Sequence, residues 1–212
     1  MKTARLVLSW IFTTTIITAL HVRAAAIPVS AFSRDADGVT MKMKPGVLRL
    51  EVFSPRVIRV TYAPGEKLPS NHSLCVIEKP GRAHWKVSET KEDVILSTDE
   101  LQARVNRATG AVGFFDKNGK PVMAEESGGK ALVPNQVGGI STLRSTDEFV
   151  LAPDEDSDFL CQYQNGCLNY RGTTVRLQQM NMEVAVPVLV SGKGYGVLWD
   201  NPAVTDVDAG AT

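Results

Sequence analysis

Past residue 26 the chain alternates between short apolar segments and clusters of Gly, Pro, Asn and Asp. The apolar segments are rich in Val, Ile, Leu and aromatic residues and either alternate with period two or run continuously. Strands are predicted at 47–53 (VLRLEVF), 57–63 (VIRVTYA), 84–89 (HWKVSE), 93–98 (DVILST), 101–107 (LQARVNR) and 111–116 (AVGFFD). In LQARVNR, Leu101, Ala103 and Val105 alternate with Gln102, Arg104 and Asn106, which gives one buried face and one wet face. Ala108-Thr109-Gly110 reads as a turn and Asn118-Gly119 as a hairpin tip.

From 125 to 139 the pattern dissolves into EESGGKALVPNQVGG, a loop by composition. Strand-like segments resume at 146–152, 167–172, 174–180, 183–191 and 195–201, with Gly192-Lys193-Gly194 as a turn between the last two. No segment after the first 26 residues keeps apolar residues at i, i+3, i+4 and i+7 for three turns. The expected fold class is all-β, a large antiparallel β-sandwich.

The 212 residues are 43% hydrophobic and 22% charged, which suits a chain that buries a core. Lys plus Arg equals Asp plus Glu, at 23 each, and neither sign forms a long block. That balance offers no footprint for a phosphate backbone, so nucleic acid is not expected as a partner.

Residues 1–26 stand apart. Lys2 and Arg5 precede the apolar run LVLSWIFTTTIITAL, and small residues follow at Ala24 and Ala26. This is the order of a secretory signal with cleavage before Ile27, and the run is shorter than the roughly 20 residues of a bilayer span. The expectation is a secreted or periplasmic mature protein over 27–212, with no membrane partner after cleavage. Cys75, Cys161 and Cys167 lack the spacing of a zinc or redox pair and read as small buried apolar residues.

Three features carry candidate chemistry. Gln178, Gln179, Asn181 and Glu183 form a polar ridge before an apolar strand, and a carboxylate with amides suits sugar hydroxyls; the competing reading is a solvated strand end. Tyr163, Tyr170, Tyr195 and Trp199 offer rings for stacking on sugars, although such positions more often belong to a core. The acidic run 153–158 (PDEDSD) lacks the glycine and terminal glutamate of a calcium loop and reads as a solvated turn. There is no G-x-S-x-G elbow, Gly-rich phosphate loop or H-E-x-x-H, and no metal or cofactor is expected.

Several motifs then line up in order. Phe149, Leu151, Pro153, Asp154 and Glu155 are followed by Asn165, Gly166, Leu168, Asn169, Tyr170, Arg171 and Gly172, then by PVLVSGKGYGVLWDN from Pro187 to Asn201. With VFSPRVIRVTYAP upstream, this series resembles the N-terminal, galactose mutarotase-like domain of glycoside hydrolase family 31, nearest to alpha-xylosidase and alpha-glucosidase-like members, over residues 35–205. The resemblance implies a β-sandwich ahead of a (β/α)8 barrel whose two carboxylates, about 5 Å apart, perform retaining chemistry. No catalytic residue is expected within these 212 residues, and the resemblance implies that the chain is the truncated, inactive front of a longer enzyme, with the last strands of the sandwich among what is missing. Asn181 and Glu183 match the family position that reaches over the barrel mouth, which makes them the expected substrate-binding residues for an alpha-linked oligosaccharide or xyloside. Asp158-Phe159-Leu160-Cys161-Gln162 replaces the family's Tyr-Gly-Leu-Gly-Gln and loses both glycines. A stand-alone carbohydrate-binding module is the alternative, and a true aldose mutarotase ranks last because His72 and His84 lie upstream of where its histidines belong.

Overall fold

The computed structural model describes residues 25–210 apart from 71–72, 78, 82, 159–160 and 163–165, and the side chains of Cys161 and Gln162. The first 24 residues of the expected signal, His72, Tyr163 and the substituted Phe159-Leu160 pair therefore lie outside the described residues. Among the described residues there is no helix, and every strand pairing is antiparallel. The fold is the all-β, antiparallel sandwich that the strand pattern predicted.

The first sheet runs in chain order through β1 (Val29–Arg34), β2 (Gly38–Met43), β3 (Val47–Ser54) and β4 (Val57–Ala63). The second, also in chain order, comprises β5 (Trp85–Glu89), β6 (Asp93–Thr98), β7 (Leu101–Asn106), β8 (Val112–Asp116) and β9 (Pro121–Ala124). Period-two alternation aims Val39, Met41, Leu48, Leu50 and Val52 from the first sheet at Val94, Leu96, Ala103, Val105 and Val112 from the second. Register makes the apolar sets coincide: Met41 pairs with Leu48 and Val39 with Leu50, while Val94 pairs with Val105 and Leu96 with Ala103. Each such side chain, once buried, contributes about 1.5–3 kcal/mol relative to exposure. A one-residue slip would turn the whole set outward.

The stretch expected to be a loop forms a hairpin instead, with β10 (Ala131–Val137) and β11 (Ile140–Thr146) in unbroken register from Ala131↔Thr146 to Val137↔Ile140. Gly138 (φ 57°) and Gly139 (φ 80°) both take left-handed conformations, which is the two-residue type I′ geometry that matches strand twist. The strand expected over 146–152 is absent beyond Thr146. Phe149 makes a single bridge to Glu125, and the Val150 N–H donates to Ala124 O.

The remaining strands are short: β12 (Ser157–Asp158), β13 (Cys161–Gln162), β14 (Thr174–Leu177), β15 (Val184–Ala185), β16 (Val188–Ser191), β17 (Gly196–Leu198) and β18 (Thr205–Asp208). They associate as β12-β16-β17, β13-β15 and β14-β18. The single strand expected over 183–191 is split at Pro187, which has no N–H to give a ladder. Nor is 167–172 a strand; there only Asn169 bridges, to Asp158. Tyr170, Val175, Leu177, Leu189, Val207 and Ala209 form a second, smaller core. Arg59 of β4 pairs with Asp200, and Ser73 Oγ donates to the same carboxylate at 2.7 Å, which ties this region to the first sheet.

Candidate functional site

The ridge from Gln178 to Glu183 folds as a tight turn. The Glu183 N–H donates to Met180 O at 3.3 Å, and Met182 sits at φ 68°, a left-handed conformation that costs a non-glycine residue roughly 1–2 kcal/mol. Gln179 holds the turn closed: its Nε2 donates to Glu183 O at 2.6 Å, and its Oε1 accepts from the Ala185 N–H at 3.3 Å. One of the predicted polar residues is thus structural. The Asn181 amide and the Glu183 carboxylate make no hydrogen bond or ion pair among the described residues, Asn181 being exposed and Glu183 half-buried. Beside them in the chain Met180, Met182, Val184 and Val186 are 58%, 68%, 48% and 42% exposed.

The aromatic candidates behave differently. Tyr170 is buried in the second core and Trp199 packs against it. Tyr195 is half-buried and donates its hydroxyl to Glu155 Oε1. Of these three only Tyr170 is fully buried, while Tyr195 and Trp199 keep part of their surface in water.

The acidic run is no solvated turn throughout. Glu155 is 3% exposed, and its carboxylate accepts from Ser191 Oγ at 2.6 Å, from the Tyr195 hydroxyl and from the Ala152 N–H at 3.0 Å. Burial raises the Glu155 pKa, but these three donors outweigh it and hold the carboxyl below its ordinary value. The Tyr195 hydroxyl is raised, first by its own burial, then by the hydrogen bond it donates to Glu155 and by that carboxylate's charge. Arg171 Nη1 donates to Ala152 O at 2.8 Å and Glu155 O at 2.7 Å, Asn169 Nδ2 donates to Asp156 at 2.6 Å, and Lys193 Nζ reaches Asp154 at 2.5 Å. The motif residues that are scattered along the sequence therefore meet in one polar clamp, in which Glu155 and Arg171 hold backbone and Asn169, Ser191, Lys193 and Tyr195 hold the acidic side chains.

Sequence reasoning passed over a second charged cluster at the base of the hairpin. Glu125 is 8% exposed, accepts from the Val112 N–H at 2.8 Å and pairs with Lys130 Nζ, which lies 2.9 Å from each of its oxygens. Beside it the Asp147 carboxyl is pushed up to about 7, first by burial and next by the Glu125 charge, with Lys130 pulling the other way. Asp147 keeps much of its own surface in water, so solvent screens that shift. Isolated acids in a loop-like composition gave no sequence signal that they would converge.

The geometry of the 180–183 turn and of the clamp can be set beside known proteins. The family model for the glycosyl hydrolase 31 N-terminal galactose mutarotase-like domain matches residues 47–157, more than half of the chain. The chain belongs to this family. An alpha-xylosidase of Saccharolobus solfataricus is 29% identical over 171 residues, which is 75% of this chain and 23% of that protein. Among solved structures, the family 31 alpha-xylosidase of Xanthomonas citri superposes with a TM-score of 0.77 at 36% identity, over 82% of this chain and 19% of that one. A family 31 alpha-xylosidase from a soil metagenome, solved with xylose, gives a TM-score of 0.73 at 29% identity, over 85% of this chain and 29% of that one. The family 31 domain described here thus spans less than a third of each of these relatives.

Proposed function

We propose that this family 31 domain is the non-catalytic, substrate-facing part of a secreted or periplasmic retaining alpha-glycosidase, with Glu183 and Asn181 contributing to the pocket for an alpha-linked oligosaccharide or xyloside. The observation that carries the reading is the 180–183 turn. It spends backbone strain at Met182 and the whole side chain of Gln179 to present a carboxylate and an amide that have no partner among the described residues. A carboxylate accepts from two sugar hydroxyls, and an amide both donates and accepts, so the pair can read a diol. The exposed apolar residues Met180, Met182, Val184 and Val186 suit a surface covered by another domain. Bond cleavage is left to two carboxylates of a barrel outside these residues.

Two measurements test this. The purified chain releases no aryl group from alpha-xylosides or alpha-glucosides, and turnover by it would overturn the reading. In a family 31 enzyme carrying this domain ahead of its barrel, Glu183→Gln raises KM by roughly tenfold to a hundredfold, the equivalent of about 1–3 kcal/mol of lost hydrogen bonding, with kcat less affected. An unchanged KM would remove Glu183 from the site. Recovery of the chain lacking residues 1–26 from an extracytoplasmic fraction tests export, and full-length chain in the cytosol would refute it. A stand-alone carbohydrate-binding module is less favoured, because Tyr170, Tyr195 and Trp199 are committed to packing or to Glu155.

A further inference from the structure

Among the described residues the β10–β11 hairpin is a two-stranded sheet with no third strand on either side. Its two edges are not equivalent. The two-residue turn makes Val137↔Ile140 the closing hydrogen-bonded pair, so the pairs Asn135↔Thr142, Val133↔Arg144 and Ala131↔Thr146 also direct their backbone groups inward. The outward backbone groups are then those of Leu132, Pro134 and Gln136 on β10, and of Ser141, Leu143 and Ser145 on β11. Pro134 removes the central outward N–H from β10, a common protection for an edge. The β11 edge carries no proline, lysine or bulge, and Ser141, Leu143 and Ser145 are all exposed, Leu143 at 51%.

We propose that β11 pairs edge to edge, antiparallel, with β11 of a second copy of this chain. A two-fold axis at Leu143 places Leu143 opposite its own equivalent, and Ser141 opposite Ser145 in both directions. Arg144, the sole formal charge in 131–146, then faces Thr142 rather than another arginine. A two-fold axis at Arg144 would instead set the two arginines opposite each other. On one face the paired residues Pro134 and Leu143 continue into their symmetry mates as one apolar row. Such a contact makes about six backbone hydrogen bonds yet buries far less than the roughly 1,600 Å² of a standard interface, so the dimer is weak and concentration-dependent.

Sedimentation equilibrium of the full chain over a concentration series tests this, with three variants. Leu143→Pro deletes the central outward N–H without touching the β10–β11 ladder, and Leu143→Lys sets like charges face to face on the axis. Gln136→Pro places the same kind of lesion on the β10 edge. The expected result is a mass rising towards the dimer in the parent chain and in Gln136→Pro, with the dissociation constant raised about tenfold or more in both Leu143 variants. A parent chain monomeric at every concentration would overturn the proposal. So would association indifferent to Leu143, or association lost equally in Gln136→Pro.

Discussion

The two halves of the molecule reach order by different routes. In the first, two sheets close on twelve buried apolar residues, and strand alternation alone dictates which side chains meet. In the second, six buried residues serve strands of only two to four residues, and the Glu155 clamp supplies what apolar area does not. Burial is non-directional and tolerates substitution by residues of similar volume, whereas a buried carboxylate demands each of its donors in place. The family model matches mainly the first half, 47–157, whereas most of the short motifs, from Phe149 to Asn201, lie in the second, where geometry is set by polar contacts.

The largest expected effect falls on the apolar half. Leu50→Ala, at a fully buried position facing both sheets, lowers stability by about 2–5 kcal/mol, read as a fall in the urea midpoint. A loss well under this would mean that the sheets repack. Next comes Glu155→Ala, which strands the Ser191 and Tyr195 hydroxyls and the Ala152 N–H and costs about 1–3 kcal/mol. Hydrogen exchange should show protection lost around β12, β16 and β17 while β3 and β6 keep theirs. Equal loss in both halves would show that they unfold as one unit.

The same contrast extends to pH. Because the folded Glu155 pKa lies below its unfolded value, the clamp's contribution is present above the ordinary glutamate range and is lost as pH falls through the lowered value. Acid should therefore release protection in the second half first. Asp147 has the opposite sign. Its folded pKa is raised to about 7, so its contribution is present at acid pH and disappears as pH rises through 7. Exchange protection near the hairpin base, taken relative to the intrinsic rate at each pH, should fall modestly as pH rises towards 7, and Asp147→Asn should flatten that dependence. The smallest effect belongs to Asp154→Ala, which removes an exposed ion pair with Lys193 and should leave the urea midpoint where it was.

How much of this was legible follows from the same physics. Strands β3 to β8 were legible because Leu48, Leu50, Val94, Leu96 and their neighbours repeat at the strand period. Strand β2 carries the same signal in Val39, Met41 and Met43, though methionines and a glycine dilute it. The hairpin was hidden by composition, yet Gly138-Gly139 between Val137 and Ile140 is a turn signal of the Asn-Gly kind. The 180–183 turn was legible as chemistry but not as shape, since nothing local announces that Gln179 will spend both ends of its amide on backbone. Glu155 was misjudged because its partners Ser191 and Tyr195 lie 36 and 40 residues away, and a run of acids looks the same whether one member is buried or none is.

Arg171 carries a further consequence, for mutational tolerance. Its guanidinium grips the carbonyl oxygens of residues 152 and 155, and carbonyls are common to all amino acids. A library randomised at position 152 should therefore keep many folded members, while one randomised at 171 should keep few, because both bonds leave one nitrogen, Nη1, at the end of a long cationic side chain; lysine, with three donors on its ammonium, is the replacement that comes nearest. The constraint belongs to the side that reaches, and the side that is held is free to drift.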